Sequence, residues 1–131
     1  MGLDLPTVDL GPGAVAASLA TGLYHTCAVL QGGGMKCWGS NDYGQLGDGS
    51  NTDRNSITQI TGGPGDSSGF GSGRDAVDLA LGWTHSCAIL DDGSVSCWGR
   101  NGYGQLGDNT TTDRLTPTQT ESLGDNRTAV S

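Results

Sequence analysis

The sequence predicts an all-β protein made of a repeated unit, and three observations support this prediction. The stretch from His25 to Asp48 returns from His85 to Asp108, with every position displaced by 60 residues. Each copy contains two short segments rich in Val, Leu, Cys and Trp, separated by glycine-bearing turn residues, which is typical of a β-hairpin. The 24 glycines follow no collagen-like period and so indicate many tight turns. Such a repeat indicates units that bury their apolar faces against one another.

The turn of the hairpin decides which side chains share a face. Leu90 to Gly93 suits a three-residue loop with Gly93 in the left-handed position, and this register pairs Cys87 with Cys97. A two-residue loop would place the two cysteines of each hairpin on opposite faces, and we prefer the three-residue loop. Both faces then carry apolar residues, so each hairpin must be covered on both sides, as a β-propeller blade is. The first face is predicted to hold His25, Cys27, Val29, Met35 and Cys37, or His85, Cys87, Ile89, Val95 and Cys97; the opposite face holds Thr26, Ala28, Leu30 and Trp38, or Ser86, Ala88, Leu90, Ser96 and Trp98.

Two further segments complete a four-stranded unit. Ala16 to Gly22 aligns without gaps on Ala76 to Gly82, and its alternation predicts a first strand. Ile57 to Ile60, which matches Pro117 to Thr120, predicts an outer strand, because a Pro fits the edge of a sheet and not its centre. The predicted division of the chain is 1–15 as the end of a preceding repeat, 16–75 as the first repeat with a glycine-rich insertion at 62–73, 76–128 as the second repeat, and 129–131 as the start of a third.

Composition excludes some classes of partner. The net charge of −8 repels a phosphate backbone, so we expect no direct binding of nucleic acid. No apolar run approaches the roughly 18 to 20 residues that span a bilayer, so we expect no membrane span. Only 34% of the residues are hydrophobic, which predicts a thin core for a free-standing chain.

The repeated motif resembles that of a known family. Gly-x-x-His-x-Cys-Ala-x-Leu, followed by Cys-Trp-Gly-x-Asn-x-x-Gly-Gln-Leu-Gly-Asp, is similar to the repeat of the regulator of chromosome condensation family, from about Ala16 to Ser131. The resemblance implies blades of a seven-bladed β-propeller: two complete four-stranded blades with partial flanking units. It also implies a protein-binding activity. Two full units cannot close such a ring, the acidic charge weakens any carry-over of chromatin binding, and the cysteines look more like a bacterial or secreted branch of the family.

The four cysteines allow three interpretations. Directly opposed strand residues have Cβ atoms about 3.5 to 4.5 Å apart, which suits disulfides between Cys27 and Cys37 and between Cys87 and Cys97. Buried thiols that act as small apolar residues are the second interpretation. Zinc bound by one His and two Cys on each hairpin is the third, although the spacing matches no usual zinc finger.

The other repeated residues are interpreted as structural. No Ser or carboxylate recurs at a spacing that would make the histidines catalytic bases, and each Trp is expected to face a neighbouring blade. The Gly-Gln-Leu-Gly segments lack the Lys and Ser/Thr of a phosphate loop, and the acidic loops that follow them suit turns better than calcium. The residues predicted to hold the repeat together are His25, Trp38, Gly44, Gln45, Leu46, Gly47, His85, Trp98, Gly104, Gln105, Leu106 and Gly107.

The sequence therefore predicts a non-enzymatic scaffold, without a cofactor, that binds a protein partner through the loops between strands. The loops expected to make contact are Asn41 to Ser56, Gly62 to Arg74 and Asn101 to Thr116. One alternative is a self-assembly module whose two-blade chains associate into a ring or fibre, since self-association is expected if the chain is complete as given. Another is an enzyme with an unrecognised site. The expected location is extracellular or at the cell surface.

Overall fold

The computed structural model consists of β-strands and loops. It describes Leu10, Leu123, Ala129 and residues 13–32, 34–61 and 75–121. Much of the predicted end of a preceding repeat, the insertion at 62–73 and the start of a third repeat lie outside these residues. The strands are β1 (Ala16–Thr21), β2 (His25–Leu30), β3 (Met35–Gly39), β4 (Arg54–Thr61), β5 (Ala76–Leu81), β6 (His85–Leu90), β7 (Val95–Gly99) and β8 (Arg114–Gln119).

The strands form two antiparallel meanders of four strands each. Sheet 1 has the order β1-β2-β3-β4, and sheet 2 has the order β5-β6-β7-β8. The predicted hairpins, first strands and outer strands are confirmed, although the outer strands begin earlier, at Arg54 and Arg114. Pro117 lies in β8 at the edge of its sheet, where a missing backbone donor costs no ladder hydrogen bond.

The predicted hairpin register is also confirmed. Cys27 pairs directly with Cys37, and Cys87 pairs with Cys97. In the second hairpin the backbone nitrogen of Gly93 donates to the carbonyl of Leu90 at 2.9 Å, and Gly93 has a φ of 83°. This left-handed conformation is one that glycine adopts without the steric cost of a Cβ, so the three-residue loop forms as expected.

The two sheets stack face to back. We call the face of each sheet that carries its paired cysteines the front face, and the opposite face the back face. The core between them combines front-face residues of sheet 1 with back-face residues of sheet 2: Cys27, Val29, Met35 and Cys37 from the former, and Leu79, Ala88, Leu90 and Trp98 from the latter. β5 packs against β1 and β2, so the two innermost strands lie side by side. Stacked antiparallel meanders of this kind are propeller blades.

The front face of sheet 1 and the back face of sheet 2 cover each other, whereas neither sheet covers the back face of sheet 1 or the front face of sheet 2. Trp98 is fully buried, but its counterpart Trp38 on the back face of sheet 1 is only half-buried. The expectation that a neighbouring blade covers both tryptophans therefore holds within the described residues for Trp98 alone. Burial requires a partner sheet, and the described chain supplies one for a single back face.

Candidate interaction surface

The turns and long loops of both sheets lie at one end of the strands. His25 pairs with Gly39, so the β1–β2 turn and the β3–β4 loop leave sheet 1 side by side. The backbone nitrogen of Ser40 donates to the carbonyl of Tyr24 at 2.8 Å, and Arg100 donates in the same way to Thr84 at 2.9 Å. We call this part of the molecule the loop end; it comprises residues 22–24, 40–53, 82–84 and 100–113.

Each long loop is held by a buried asparagine. The side-chain nitrogen of Asn41 donates to the carbonyls of Ser50 (2.9 Å) and Thr52 (3.0 Å), and its side-chain oxygen accepts from the Leu46 nitrogen at 2.9 Å. Asn101 makes the same bonds in the second loop, to Thr110, Thr112 and Leu106. A buried amide with its donors and acceptor satisfied fixes the path of the loop around it, so the loop is an ordered platform.

An aspartate closes each loop against the arginine that starts the outer strand. Asp108 Oδ2 lies 2.7 Å from Arg114 Nε, and Asp48 Oδ2 lies 3.0 Å from Arg54 Nε. The hydrogen bond from the Thr110 side chain, together with Arg114 and Asn101, holds the pKa of Asp108 well below its usual range despite its burial. At Asp48, burial raises the pKa, but the hydrogen bonds from Ser50, Arg54 and Asn41 outweigh it. Both carboxylates therefore serve as internal acceptors.

The calcium interpretation of these loops gains no support. The oxygens of Asp48 and Asp108 are occupied by hydrogen bonds within their own loops. Among the residues described, no group of three His, Cys, Asp or Glu side chains is arranged to hold a metal ion.

The first long loop is also wedged between the sheets. The carbonyl of Gln45 accepts hydrogen bonds from Ser86 Oγ at 2.8 Å and from Trp98 Nε1 at 2.9 Å. A Cβ on Gly47 would lie 2.8 Å from Trp98 Nε1, so the indole requires a glycine there. The predicted contact loop from Asn41 to Ser56 is thus partly an internal contact, because its Gly44 to Gly47 segment is buried.

His25 belongs to the same contact between sheets. Its Nε2 lies 2.9 Å from Ser86 Oγ, and both side chains are buried. The single hydroxyl proton of Ser86 goes to the Gln45 carbonyl, which can only accept, so His25 Nε2 is the donor. This polarity is the reverse of a Ser–His dyad, in which the imidazole accepts the hydroxyl proton. Burial, with a smaller contribution from His85, lowers the pKa of His25 to about 4, so the ring is neutral near pH 7.

The cysteines form two cross-strand disulfides. The S–S distances are 2.04 Å for Cys27–Cys37 and 2.12 Å for Cys87–Cys97. Bonded sulfurs are not thiolate ligands, so the zinc interpretation does not fit this arrangement. Cys27 and Cys37 are buried between the sheets, whereas Cys87 on the front face of sheet 2 is only half-buried.

The most exposed aromatic side chains among the described residues lie at the loop end. Tyr24 is 72% exposed, Trp83 75% and Tyr103 85%. The guanidinium carbon of Arg100 lies 5.0 Å from the ring centre of Tyr43 and 5.8 Å from that of Tyr103, so this cation joins the loops of both sheets. Rigid aromatic rings and an arginine in reach of solvent are the residue types that dominate protein–protein contacts.

Comparison with known proteins places these residues in a family. One model of the Regulator of chromosome condensation (RCC1) repeat matches residues 16–45 and 76–105, and a second matches 33–89 and 92–131. The chain belongs to the RCC1 repeat family. The two copies seen in the sequence therefore correspond to RCC1 repeats, as the resemblance implied.

Relatives with RCC1 repeats are longer than this chain. The ultraviolet-B receptor UVR8 of Arabidopsis thaliana is 33% identical over 107 residues, which is 82% of this chain and 22% of the receptor. The human probable E3 ubiquitin-protein ligase HERC4 is 34% identical over 105 residues, 80% of this chain and 9% of the ligase. The chain thus spans less than a quarter of the length of these two relatives.

Solved structures share the fold. Yeast RCC1 (Prp20), solved bound to Kap60, superposes with a TM-score of 0.65 at 27% identity, over 82% of this chain and 25% of Prp20. Human WBSCR16 superposes with a TM-score of 0.68 at 25% identity, over 81% of this chain and 26% of that protein. Another structure of Prp20 reports its binding to Gsp1p and histones. The two sheets are therefore RCC1-type propeller blades.

Sequence reasoning missed three kinds of residue. Asn41 and Asn101 organise the loops, Ser86 joins His25 to Gln45, and Arg100 stacks between two tyrosines. The asparagines carried a usable signal, since they recur 60 positions apart within a polar loop. Arg100 carried none, because Ser40 occupies its position in the first copy.

Proposed function

We propose that this chain is a non-enzymatic protein-interaction scaffold that binds a protein partner through the loop end. The observation that carries the proposal is the concentration of Tyr24, Trp83 and Tyr103, all strongly exposed, with Arg100 on one ordered surface. Aromatic side chains and arginine bury large areas at little conformational cost, so they supply most of the free energy of binding at protein interfaces.

The chemistry of the chain supports a protein partner over the other classes. A net charge of −8 opposes nucleic acid, and no helix among the described residues could cross a membrane. The histidine most suggestive of catalysis, His25, is buried and donates to Ser86 instead of accepting from it. Yeast Prp20, which shares the fold, is reported with protein partners.

The experiment compares loop-end variants with a matched exposed variant elsewhere. The folded chain is immobilised and used to select binders from a displayed peptide library. The affinities of the selected peptides are then measured for the original chain and for Trp83→Ala, Tyr103→Ala and Val77→Ala. Val77 is also exposed, but it lies near the opposite end of sheet 2, beside Ala76, which pairs with Leu90.

We expect Trp83→Ala or Tyr103→Ala to weaken binding about tenfold or more and Val77→Ala to leave it unchanged, because truncating an aromatic hot spot costs at least about 1.4 kcal/mol. Selected peptides whose affinity depends on Val77 but not on the aromatic residues would contradict the proposal. So would a selection that yields no specific binder.

We also propose an oxidising location, extracellular or at the cell surface. Two disulfides account for every cysteine of the chain, and such bonds persist mainly in oxidising compartments. To test this location, free thiols are trapped at the moment when cells of the native source are lysed, and the free cysteines of the chain are counted. Bridged cysteines are expected, and four free thiols would contradict the proposed location.

A further inference from the structure

Arg100, at the loop end, is a cation that the described part of the chain does not neutralise. Among the residues that the structure describes, Arg54 and Arg114 each pair with an aspartate of their own loop, and Lys36 donates to the carbonyl of Leu10. The Arg100 guanidinium contacts two tyrosine rings and, within the same described residues, no carboxylate and no hydrogen-bonding oxygen. Its N–H donors are therefore available to an anion from outside the chain.

Contacts from both sheets hold Arg100 in place. Its backbone nitrogen donates to the Thr84 carbonyl at 2.9 Å, which joins it to the turn between β5 and β6. The Tyr43 ring that it contacts belongs to the first long loop, where the Tyr43 backbone nitrogen donates to the buried Gln45 side chain at 2.9 Å. The Arg100 side chain is half-buried against this ring, so an incoming ligand does not have to order a freely moving arginine.

The Arg100 site lies between the two described blades. Tyr43 comes from the long loop of sheet 1 and Arg100 from that of sheet 2, so the pair involves neither of the two faces that the sheets leave uncovered. Ser40 occupies the position of Arg100 in the first copy and supplies no cation there. Within the described residues the arrangement therefore occurs at one place, the junction of the two long loops.

A carboxylate is the anion that suits this surface. A planar guanidinium donates two parallel N–H bonds to a carboxylate or a phosphate. Exposed Asp42, Asp53 and Asp113 lie in the same loop end and the chain has a net charge of −8, so an anion with one charge meets less repulsion than a phosphate monoester with about two. Trp83 is 75% exposed in the turn to which Arg100 is bonded, and its ring offers a flat apolar surface there.

We propose that Arg100 binds the side-chain carboxylate of an Asp or Glu in the protein partner, while Trp83 packs against an apolar side chain of the same segment. This inference rests on the proposed function, because it names the chemistry that the loop end recognises. The aromatic contact supplies affinity, and the arginine decides which segments bind. A segment with Gln in place of Glu has the same shape but leaves the arginine without a counter-charge.

An array of synthetic peptides provides the probe. Each peptide carries an aromatic residue at one position and Glu, Gln, Lys or phosphoserine at a second, with the spacing between the two and the uncharged flanking residues varied. Acetylated and amidated ends remove the terminal charges, so a carboxylate can come only from the fixed side chain. The Glu peptide that binds most strongly and its Gln counterpart are then titrated by fluorescence anisotropy against the original chain and its variants.

Arg100→Gln should weaken binding of the Glu peptide about tenfold or more and change that of its Gln counterpart less than about twofold. Arg100→Lys should recover only part of the loss, because an ammonium keeps the charge without the bidentate geometry. The matched control Lys36→Gln removes the same charge near the end of sheet 1 opposite the loop end, and both affinities should stay unchanged. Thermal unfolding verifies that each variant is folded, and Arg100→Lys carries the test should Arg100→Gln fail to fold.

Three results would overturn the inference. They are equal affinity of the original chain for the Glu and Gln peptides, an equal loss of both in Arg100→Gln, and stronger binding of phosphoserine than of Glu, which would assign the site to phosphate. If any of these is found while Trp83→Ala still weakens the peptides, the proposed function stands without a carboxylate site. If no peptide of the array binds, the proposed function and this inference fail together.

Discussion

Trp38 and Trp98 occupy the same position in two nearly identical hairpins, and their surroundings differ. The Trp98 ring packs on Gly47, its indole nitrogen donates to the Gln45 carbonyl, and the side chain is fully buried. Trp38 lies on the back face of sheet 1 and is half-buried. The comparison shows that the repeat fixes the strand and the face of a residue, while the neighbouring sheet fixes its burial.

The largest expected difference concerns the two tryptophans themselves. Trp98→Ala should lower the free energy of unfolding by about 3 to 5 kcal/mol, because it removes a buried ring from the core between the sheets. Trp38→Ala should cost clearly less, about 1 to 2 kcal/mol, in the dilute single chain. Urea unfolding followed by circular dichroism measures both. Equal losses would show that Trp38 is covered as fully as Trp98.

The disulfides offer the second comparison. In the chain-entropy model, removing a bridge that closes a loop of about ten residues costs about 2 to 3 kcal/mol in either hairpin. The pair Cys27→Ala and Cys37→Ala should cost more than the pair Cys87→Ala and Cys97→Ala, because the first also empties space between the sheets.

Chemical reduction tests the same difference in burial between the two disulfides. A mild reductant should attack Cys87–Cys97 faster, since Cys87 is half-buried and Cys27 and Cys37 are fully buried. Mass spectrometry after timed alkylation follows each bridge. Faster loss of Cys27–Cys37 would contradict the stacking of its face against sheet 2.

The buried asparagines should behave alike, in contrast to the tryptophans. Asn41→Ala and Asn101→Ala each leave the same set of loop groups without their partner, and each should cost about 1 to 3 kcal/mol. The reason for equality is that both networks are internal to their own loop. Thermal unfolding compares the two variants, and a difference above about 1 kcal/mol would show that the contacts of the first loop with sheet 2 change what the asparagine substitution costs.

The smallest expected effect is the pH dependence that His25 contributes. Its pKa is about 4 in the folded chain and 6.5 as the reference value, so the unfolded chain takes up a proton first as the pH falls. The stability linked to His25 is therefore complete above about pH 6.5 and is lost between about pH 6.5 and pH 4. We expect a loss of about 1 to 2 kcal/mol across this range, below the roughly 3 kcal/mol that the full difference between the two pKa values would give.

His25→Gln should flatten the profile of unfolding free energy against pH in that range. The matched variant His85→Gln should change it less, because the His85 side chain is less buried and lies on the open front face. The pKa of His85 is lowered by burial as well, so its contribution has the same sign. A steeper dependence on His85 than on His25 would contradict the buried His25–Ser86 contact.

The sequence by itself determined the strands, the hairpin register and the family. Alternating residues and Gly93 are local signals. The segment from His25 to Asp48 recurs 60 positions later, so the same signals appear in both copies of the repeat. Cysteine spacing leaves the disulfide, buried-thiol and zinc interpretations open, because it does not specify what the sulfurs bind.

Only the tertiary structure decided which face is covered and which groups meet across the sheets. Ser86 and His25 are 61 positions apart, and nothing local marks them as partners. Arg100 reaches Tyr43 because stacking brings the loops together. Periodicity specifies the direction of a side chain within its own sheet, but burial and long-range hydrogen bonds depend on the relative placement of two sheets, which no single repeat encodes.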